Sequence, residues 1–526
     1  MSLPNFSCTP SANRLNPVNN GGRRRAVRVG VVLSAVFASA LSGFSAIAEN
    51  RIDTQLPGSP ELAAYGDYKT GVRTLDVVNP DQIDILQLDN AEPLPDPLPT
   101  YDRPLTLEIW YPADAAATGD TTLRAYLRDA VTEVELQGQS IRDAAPVMND
   151  GPFPLVILSH GYPGNRYLMS HLADNLASKG YVVVSIDHTD STYRTQAAFG
   201  STLVNRSLDQ IFVLNQIEQL SADSGSFLSG LVDANNTAVI GYSMGGYGAV
   251  ITAGAGVTQL SIDYSFGAPH GQLAVHKAGS SSHNALIDDR IRTAVAFAPW
   301  GMNFGFWDAE GLSGIGIPML FVAGSEDDVS GYENGIRAIW QGATSVDRAL
   351  LTFDNANHNA GAPMPPPAES FRFDERLGFN LVEHYADAVW QTERMNNISQ
   401  HFVTAWLAHY LKGDAQAADY LQLEPSSNDG VYDEVDGAFT DAHTYWTGFP
   451  DRTAKGMHFE WLMSEAIPSS CDYTYASLNG GWGWNPVTLE SCPPVEVADN
   501  CDYADAGVNG GWGWDPIAMQ SCSPLE

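Results

Sequence analysis

The sequence predicts an α/β fold, a mostly parallel central sheet with helices on both faces. Short apolar runs of strand length recur along the chain and alternate with helically spaced segments. A single G-x-S-x-G, Gly241-Tyr242-Ser243-Met244-Gly245, lies between one such run and a segment able to start a helix. Over 526 residues, 44% hydrophobic and 17% charged side chains supply a sizeable core and argue against global disorder.

The elements follow in order. Arg23, Arg24, Arg25 and Arg28 precede an apolar stretch from Val29 to Ala48 that ends in the small-x-small Ala46-Ile47-Ala48, so residues 1–48 read as an export signal cleaved before Glu49. An uncleaved anchor is the alternative, disfavoured by the many Ser, Gly and Ala residues. No later segment is apolar for long enough to span a bilayer, which predicts a secreted mature protein without a membrane span. A catalytic domain is expected over 49–465. Its first part, to about 104, is Pro-rich, with Gly71 to Val78 as an early strand and Leu105 to Tyr111 as the next. Pro154 to Ser159 and Tyr181 to Ile186 read as buried strands around a helix over Leu168 to Lys179. A helix from Ser207 to Leu220, a strand from Ala238 to Ile240 and a helix from about Gly245 follow. The later strands are Thr293 to Ala298, Pro318 to Val322 and, as the last, Ala349 to Phe353. Residues 256–292 and 360–395 exceed this pattern and read as a lid, a pocket wall or plain surface insertions.

Charge narrows the function classes. With 62 Asp+Glu against 27 Lys+Arg, the net charge of −35 makes nucleic acid a poor partner and predicts a highly solvated surface. Cys8 would leave with the signal. The remaining Cys471, Cys492, Cys501 and Cys522 lie in the tail, which excludes a cysteine nucleophile in the catalytic region and suggests disulfides formed in an oxidising compartment. The tail is a repeat: Cys471–Cys492 recurs as Cys501–Cys522, each copy carrying Asn-Gly-Gly-Trp-Gly-Trp. Each is read as a small disulfide-closed module. Extended backbone would put Trp482 and Trp484 on one face, a platform for a carbohydrate or polymer surface, unless they pack around the disulfide. No His/Cys/Asp cluster has metal-ligand spacing, so neither a metal nor another cofactor is implied.

The chemistry centres on Ser243. Ala238-Val239-Ile240 before it and Gly246-Tyr247-Gly248-Ala249-Val250 after it give a strand–turn–helix, in which flanking glycines admit a strained turn that lifts the hydroxyl out of the sheet. Ser159-His160-Gly161-Tyr162 follows an earlier strand where a second oxyanion donor is needed, so the N–H groups of Tyr162 and Met244 are the expected pair, with His160 structural. The acid and base should come later, in that order. Asp327, in Ser325-Glu326-Asp327-Asp328 at a strand exit, is the expected acid, with Asp328 and Glu326 as weaker candidates. His358, among 12 histidines, directly follows the last strand of the pattern and is the expected base.

At these residues the chain resembles the α/β-hydrolase superfamily, and within it the bacterial cutinases and polyester hydrolases and the platelet-activating-factor acetylhydrolase-like and dienelactone-hydrolase-like proteins. The resemblance runs from about Gly71 to Leu411 through Ser159-His160-Gly161-Tyr162, Gly180 to Asp187, Gly241 to Gly246, Ala298-Pro299-Trp300 and the Asp327 and His358 segments. It implies an α/β-hydrolase fold, a carboxylic ester substrate, small or polymeric, and flanking of the acyl group by Tyr162 and Trp300; core packing is the other reading for Trp300. Some acetylhydrolase-like relatives carry the acid just after the strand ending at Ala298. No carboxylate stands there, which favours Asp327. The tail repeats look somewhat like Cys- and Trp-rich carbohydrate-binding modules. The expected activity is therefore a secreted serine esterase, cutinase- or polyesterase-like. A lactonase or lipid acetylhydrolase with the same triad, or an inactive surface-binding protein, are the alternatives.

Overall fold

A computed structural model describes residues 49–464 apart from 89–91 and 265, and beyond them the backbone of four short strands. The export signal and the side chains of the tail cysteines and tryptophans lie outside the described residues. In the tail, Gly483–Asn485 pairs antiparallel with Glu490–Cys492, and Gly513–Asp515 pairs in the same way with Gln520–Cys522, so the sequence repeat is also a repeat of a hairpin.

The central sheet has ten strands: β1 (Lys69–Ile83), β2 (Thr100–Ala113), β3 (Ile141–Arg142), β4 (Phe153–Ser159), β5 (Val182–Asp187), β6 (Val232–Tyr242), β7 (Ile291–Phe297), β8 (Met319–Gly324), β9 (Arg348–Phe353) and β10 (Met457–Leu462). They lie in the order β10-β9-β8-β7-β6-β4-β5-β2-β1-β3. From β9 to β5 every neighbouring pair is parallel, and β10 and β2 join the two ends antiparallel. The parallel part is the expected α/β arrangement. Its strands read as near-continuous apolar runs because both faces are covered.

Alternation along the strands shows the two faces. Leu155, Ile157, Val182, Val184 and Val239 pack with Val213, Leu214 and Ile217 of α2 (Phe199–Ala222). Val156, Leu158, Val183, Ala238 and Ile240 join the core that contains Leu172 and Leu176 of α1 (Ser170–Ser178) and Phe402 and Trp406 of α4 (Thr392–Lys412). The nucleophile segment starts α3 (Met244–Thr252), buried along its whole length.

Three expectations need correction. The helix placed at Ser207 starts at Phe199, because its first turns are polar yet buried: Ser201, Asn205, Arg206 and Asp209 face a hydrogen-bonded interior rather than solvent. The strand over Ala349 to Phe353 is not the last, since β10 pairs with it from Arg348↔Leu462 to Phe353↔Met457. The early strands expected over Gly71 to Val78 and Leu105 to Tyr111 are present but longer, as β1 and β2, which form a hairpin paired from Lys69↔Ala113 to Ile83↔Thr100 across a register shift.

Candidate active site

The parallel strands deliver the expected residues to one edge, since each lies just beyond the C-terminal end of its strand: Tyr162 after β4, Ser243 after β6, Asp327 after β8 and His358 after β9.

Ser243 has φ 55° and ψ −112°, a conformation rare for a side chain with a Cβ. Three backbone hydrogen bonds hold it there. Its N–H donates to Phe297 C=O at 2.9 Å, and its C=O accepts from Tyr247 at 2.9 Å and from Trp300 at 3.2 Å. The flanking glycines are required by close approach. A Cβ on Gly241 would lie 2.0 Å from Gly245 C=O, and one on Gly245 would lie 1.9 Å from Ser159 C=O. Strain at this turn is thus sustained by its surroundings.

His358 Nε2 lies 2.9 Å from Ser243 Oγ, and His358 Nδ1 lies 2.9 Å from Asp327 Oδ2. The other oxygen of Asp327 accepts the N–H of Val329 at 2.9 Å and of Ser330 at 2.8 Å. Burial works against the Asp327 carboxylate, but the hydrogen bond and charge of His358, with those two N–H groups, outweigh it and hold the carboxyl below its usual range. Asp327 therefore stays ionised, with one oxygen committed to backbone and one to the imidazole. Asp328 and Glu326, the weaker candidates, make no contact with His358 among the described hydrogen bonds and ion pairs.

Met244 opens α3, so its N–H has no intrahelical acceptor. Tyr162 sits on the loop facing it, where a Cβ on Gly161 would meet Ser243 Cβ at 3.3 Å. The half-buried Tyr162 ring donates its O–H to Ala197 C=O at 2.7 Å and meets Phe199 edge-on. Phe199 in turn meets Trp300, which stacks on Phe304 and touches Phe306. The half-buried Trp300 ring meets four aromatics, Phe199, Tyr247, Phe304 and Phe306, and its backbone N–H donates to Ser243 C=O.

The two insertions reach the site. In the first, Tyr264 meets Phe304 and Phe306 and so buttresses the Trp300 wall. The second fastens the His358 loop from both sides. Asp387 accepts the Asn357 N–H at 2.7 Å, and Asn359 donates to Glu383 C=O at 2.9 Å and Ala386 C=O at 2.8 Å while accepting the Tyr242 hydroxyl at 2.9 Å. Sequence reasoning missed Asn359 and Asp387, whose partners lie far along the chain; adjacency of Asn359 to His358 was the one available signal.

The model of the PET hydrolase-like family matches residues 144–262. Cutinase 2 of Thermobifida cellulosilytica is 22% identical over 282 residues, which are 53% of this chain and 76% of that one. Cutinase cut1 of Thermobifida fusca is also 22% identical over 282 residues, but these make up only 63% of its length. A solved ferulic acid esterase from Streptomyces cinnamoneus aligns at 22% identity and a TM-score of 0.45, covering 68% of this chain and 94% of that one.

Proposed function

We propose that the chain, a cutinase-like α/β-hydrolase, cleaves carboxylic esters through an acyl-enzyme on Ser243, with His358 as base and Asp327 as the group that orients it. The observation that carries this reading is the unbroken relay from Ser243 Oγ through His358 to Asp327, 2.9 Å at each step.

In the first half-reaction Ser243 Oγ attacks the ester carbonyl carbon as its proton passes to His358 Nε2. The carbonyl oxygen gains negative charge between the N–H groups of Tyr162 and Met244. One such donor is worth about 3 kcal/mol in the transition state because it is already oriented. The tetrahedral intermediate collapses, the carbon–oxygen bond to the alcohol breaks, and His358 returns the proton to the leaving oxygen. A water then takes the place of the alcohol. His358 removes its proton as the water oxygen attacks the acyl carbon; the second tetrahedral intermediate collapses, the acyl–Ser243 bond breaks, His358 returns the proton to Ser243 Oγ, and the carboxylic acid departs. Asp327 keeps a hydrogen bond to Nδ1–H throughout, so Nε2 is free to accept, and its charge stabilises the transient imidazolium.

The aromatic wall supports an acyl group held between Tyr162 and Trp300. The names of the relatives, cutinases and a bis(hydroxyethyl) terephthalate hydrolase of Streptomyces coelicolor, point toward polyester-type esters. Export to an oxidising compartment belongs to the same proposal, as does a surface-binding role for the tail repeats.

Ser243→Ala is the direct test: turnover of p-nitrophenyl esters should vanish in a folded protein, and an organophosphonate should label Ser243 in the parent alone. Retained turnover in S243A would sink the assignment. Short esters, lactones and insoluble polyester compared side by side separate an esterase from a lactonase and from a polymer-degrading enzyme.

A further inference from the structure

Below the proposed oxyanion loop lies a second set of polar side chains that the reaction does not use. Ser159, His160, His188, Arg206 and Asp209 are all buried, and Arg103 with them. Their hydrogen bonds converge on the loop. Arg206 Nη1 donates to His160 C=O at 2.6 Å, and its Nη2 donates to Ser191 Oγ at 2.7 Å. His188 Nδ1 lies 2.9 Å from Asp209, whose carboxylate Arg103 holds at 2.8 and 2.9 Å. His188 Nε2 lies 2.8 Å from Ser159 Oγ.

The roles of the two His160 nitrogens follow from their partners. The His188 backbone N–H donates to His160 Nε2 at 3.2 Å, so that nitrogen is the acceptor. The proton therefore sits on Nδ1, which is 2.7 Å from Gly161 C=O and donates to it. That carbonyl belongs to the same peptide group as the Tyr162 N–H. A peptide group is planar and nearly always trans, so holding the oxygen at one end sets the direction of the N–H at the other.

We propose that His160 is a positioning residue of the oxyanion hole, aiming the Tyr162 N–H by gripping the Gly161 end of its peptide plane. The inference rests on the reading of Ser243 and Tyr162 given above and goes beyond the structural role expected of His160 from sequence. The fold makes room for this imidazole and no more: a Cβ on Gly164 would come within 2.7 Å of His160 Nδ1 and 2.9 Å of its Cβ. The tautomer is also protected. Burial, with the neighbouring Arg206 and His188, holds His160 well below the usual histidine range, so it stays neutral while His358 cycles. The titratable groups around it are Arg206 from α2, which approaches its carbonyl, and His188 beyond β5, itself held at about 3 by burial and Arg206 against the pull of Asp209.

Three variants test this with a p-nitrophenyl ester, rates being expressed per folded chain. His160→Leu removes the donor and should lower kcat by about 10²-fold, toward the loss seen when an oxyanion donor is removed, with KM changed less than about threefold. His160→Asn places its amide N–H close to where Nδ1 stood and should recover kcat to within about tenfold of the parent. Gly164→Ala presses on the imidazole without removing it and should lower kcat in a protein that still folds. The acid limb of the pH–rate profile should coincide in parent and H160N, because His160 does not exchange the reacting proton. Equal losses in H160L and H160N, a thermal shift without a change in kcat, or a moved acid limb would each overturn the proposal. Turnover remaining in S243A would instead remove the reading on which it rests, so the two failures are distinct.

Discussion

Asp327→Asn tests the acid most sharply, because the surroundings dictate which way the new amide must face. In the parent, one carboxylate oxygen accepts two backbone N–H groups, at 2.9 Å from Val329 and 2.8 Å from Ser330, and the other faces His358 Nδ1 at 2.9 Å. An asparagine that keeps its oxygen on the two backbone donors turns its NH₂ toward Nδ1. The reverse orientation sets an NH₂ against two N–H groups, and each buried donor left unsatisfied costs about 1–3 kcal/mol. The first orientation wins. His358 must then accept at Nδ1, which moves its proton to Nε2, the nitrogen that should receive the proton of Ser243. The expected loss is about 10⁴-fold in kcat, near 5 kcal/mol of transition-state stabilisation, with little change in KM. Initial rates on a p-nitrophenyl ester, alongside a thermal melt, provide the measurement. A folded D327N protein within about tenfold of the parent rate would refute the orienting role of Asp327.

Gly245→Ala should yield no active folded enzyme, as its Cβ would lie 1.9 Å from the Ser159 carbonyl oxygen, a backbone atom that cannot step aside; soluble yield and esterase rate read this out. Asn359→Leu removes the donors to Glu383 and Ala386 and the acceptor of the Tyr242 hydroxyl. It should loosen the His358 loop and lower kcat by about tenfold or more, and an unchanged rate would show that the loop needs no such anchor. Asp209→Asn leaves the buried Arg103 with its main partner neutralised and should destabilise by about 3–5 kcal/mol at neutral pH. The pH dependence follows from Asp209 being held at about 2, where burial opposes ionisation and Arg103 and His188 outweigh it. A carboxyl depressed below its unfolded value of about 3.9 stabilises fully above that value and loses the contribution as pH falls through 2. The difference in urea midpoint between parent and D209N should therefore hold from pH 7 to about 4 and narrow below, and a constant difference down to pH 2 would contradict the account.

What could be read from the sequence was whatever the chain states locally. Ser243, Asp327 and His358 each follow an apolar strand within a few residues, and parallel pairing of β6, β8 and β9 does the rest, bringing three distant segments to one edge. The strand–turn–helix around Ser243 also declares itself, since its glycines stand where backbone must touch backbone. The misses have a common cause. The opening turns of α2 look like a loop because Ser201, Asn205, Arg206 and Asp209 are polar, and only long-range partners such as Arg103 and the His160 carbonyl explain their burial. β10 alternates buried and half-buried residues over Met457-His458-Phe459-Glu460, but more than a hundred residues separate it from its partner β9, so nothing local links the two. Asn359 and Asp387 are invisible for the same reason.

The buried network also shows why a serine–histidine–aspartate relay is not by itself a catalytic device. Ser159, His188 and Asp209 repeat the spacing of the proposed triad, at 2.8 and 2.9 Å against 2.9 and 2.9 Å. What differs is the setting. Ser159 is 0% exposed against 8% for Ser243, and it lies within a strand instead of at a strained turn beside the first N–H groups of a helix. Asp209 is shared with Arg103, whereas the oxygen of Asp327 not facing His358 meets only neutral N–H groups. Full burial and the neighbouring guanidinium of Arg206 hold His188 at about 3, so it stays neutral near neutral pH. In the inner relay His188 is held neutral beside an ionised Asp209, and the set serves as a brace. In the other, Ser243 is slightly exposed and stands at the start of α3. On this argument, reactivity in the fold comes from where a relay meets solvent and helix N-terminus, and the inner copy's contribution is to hold that meeting point still.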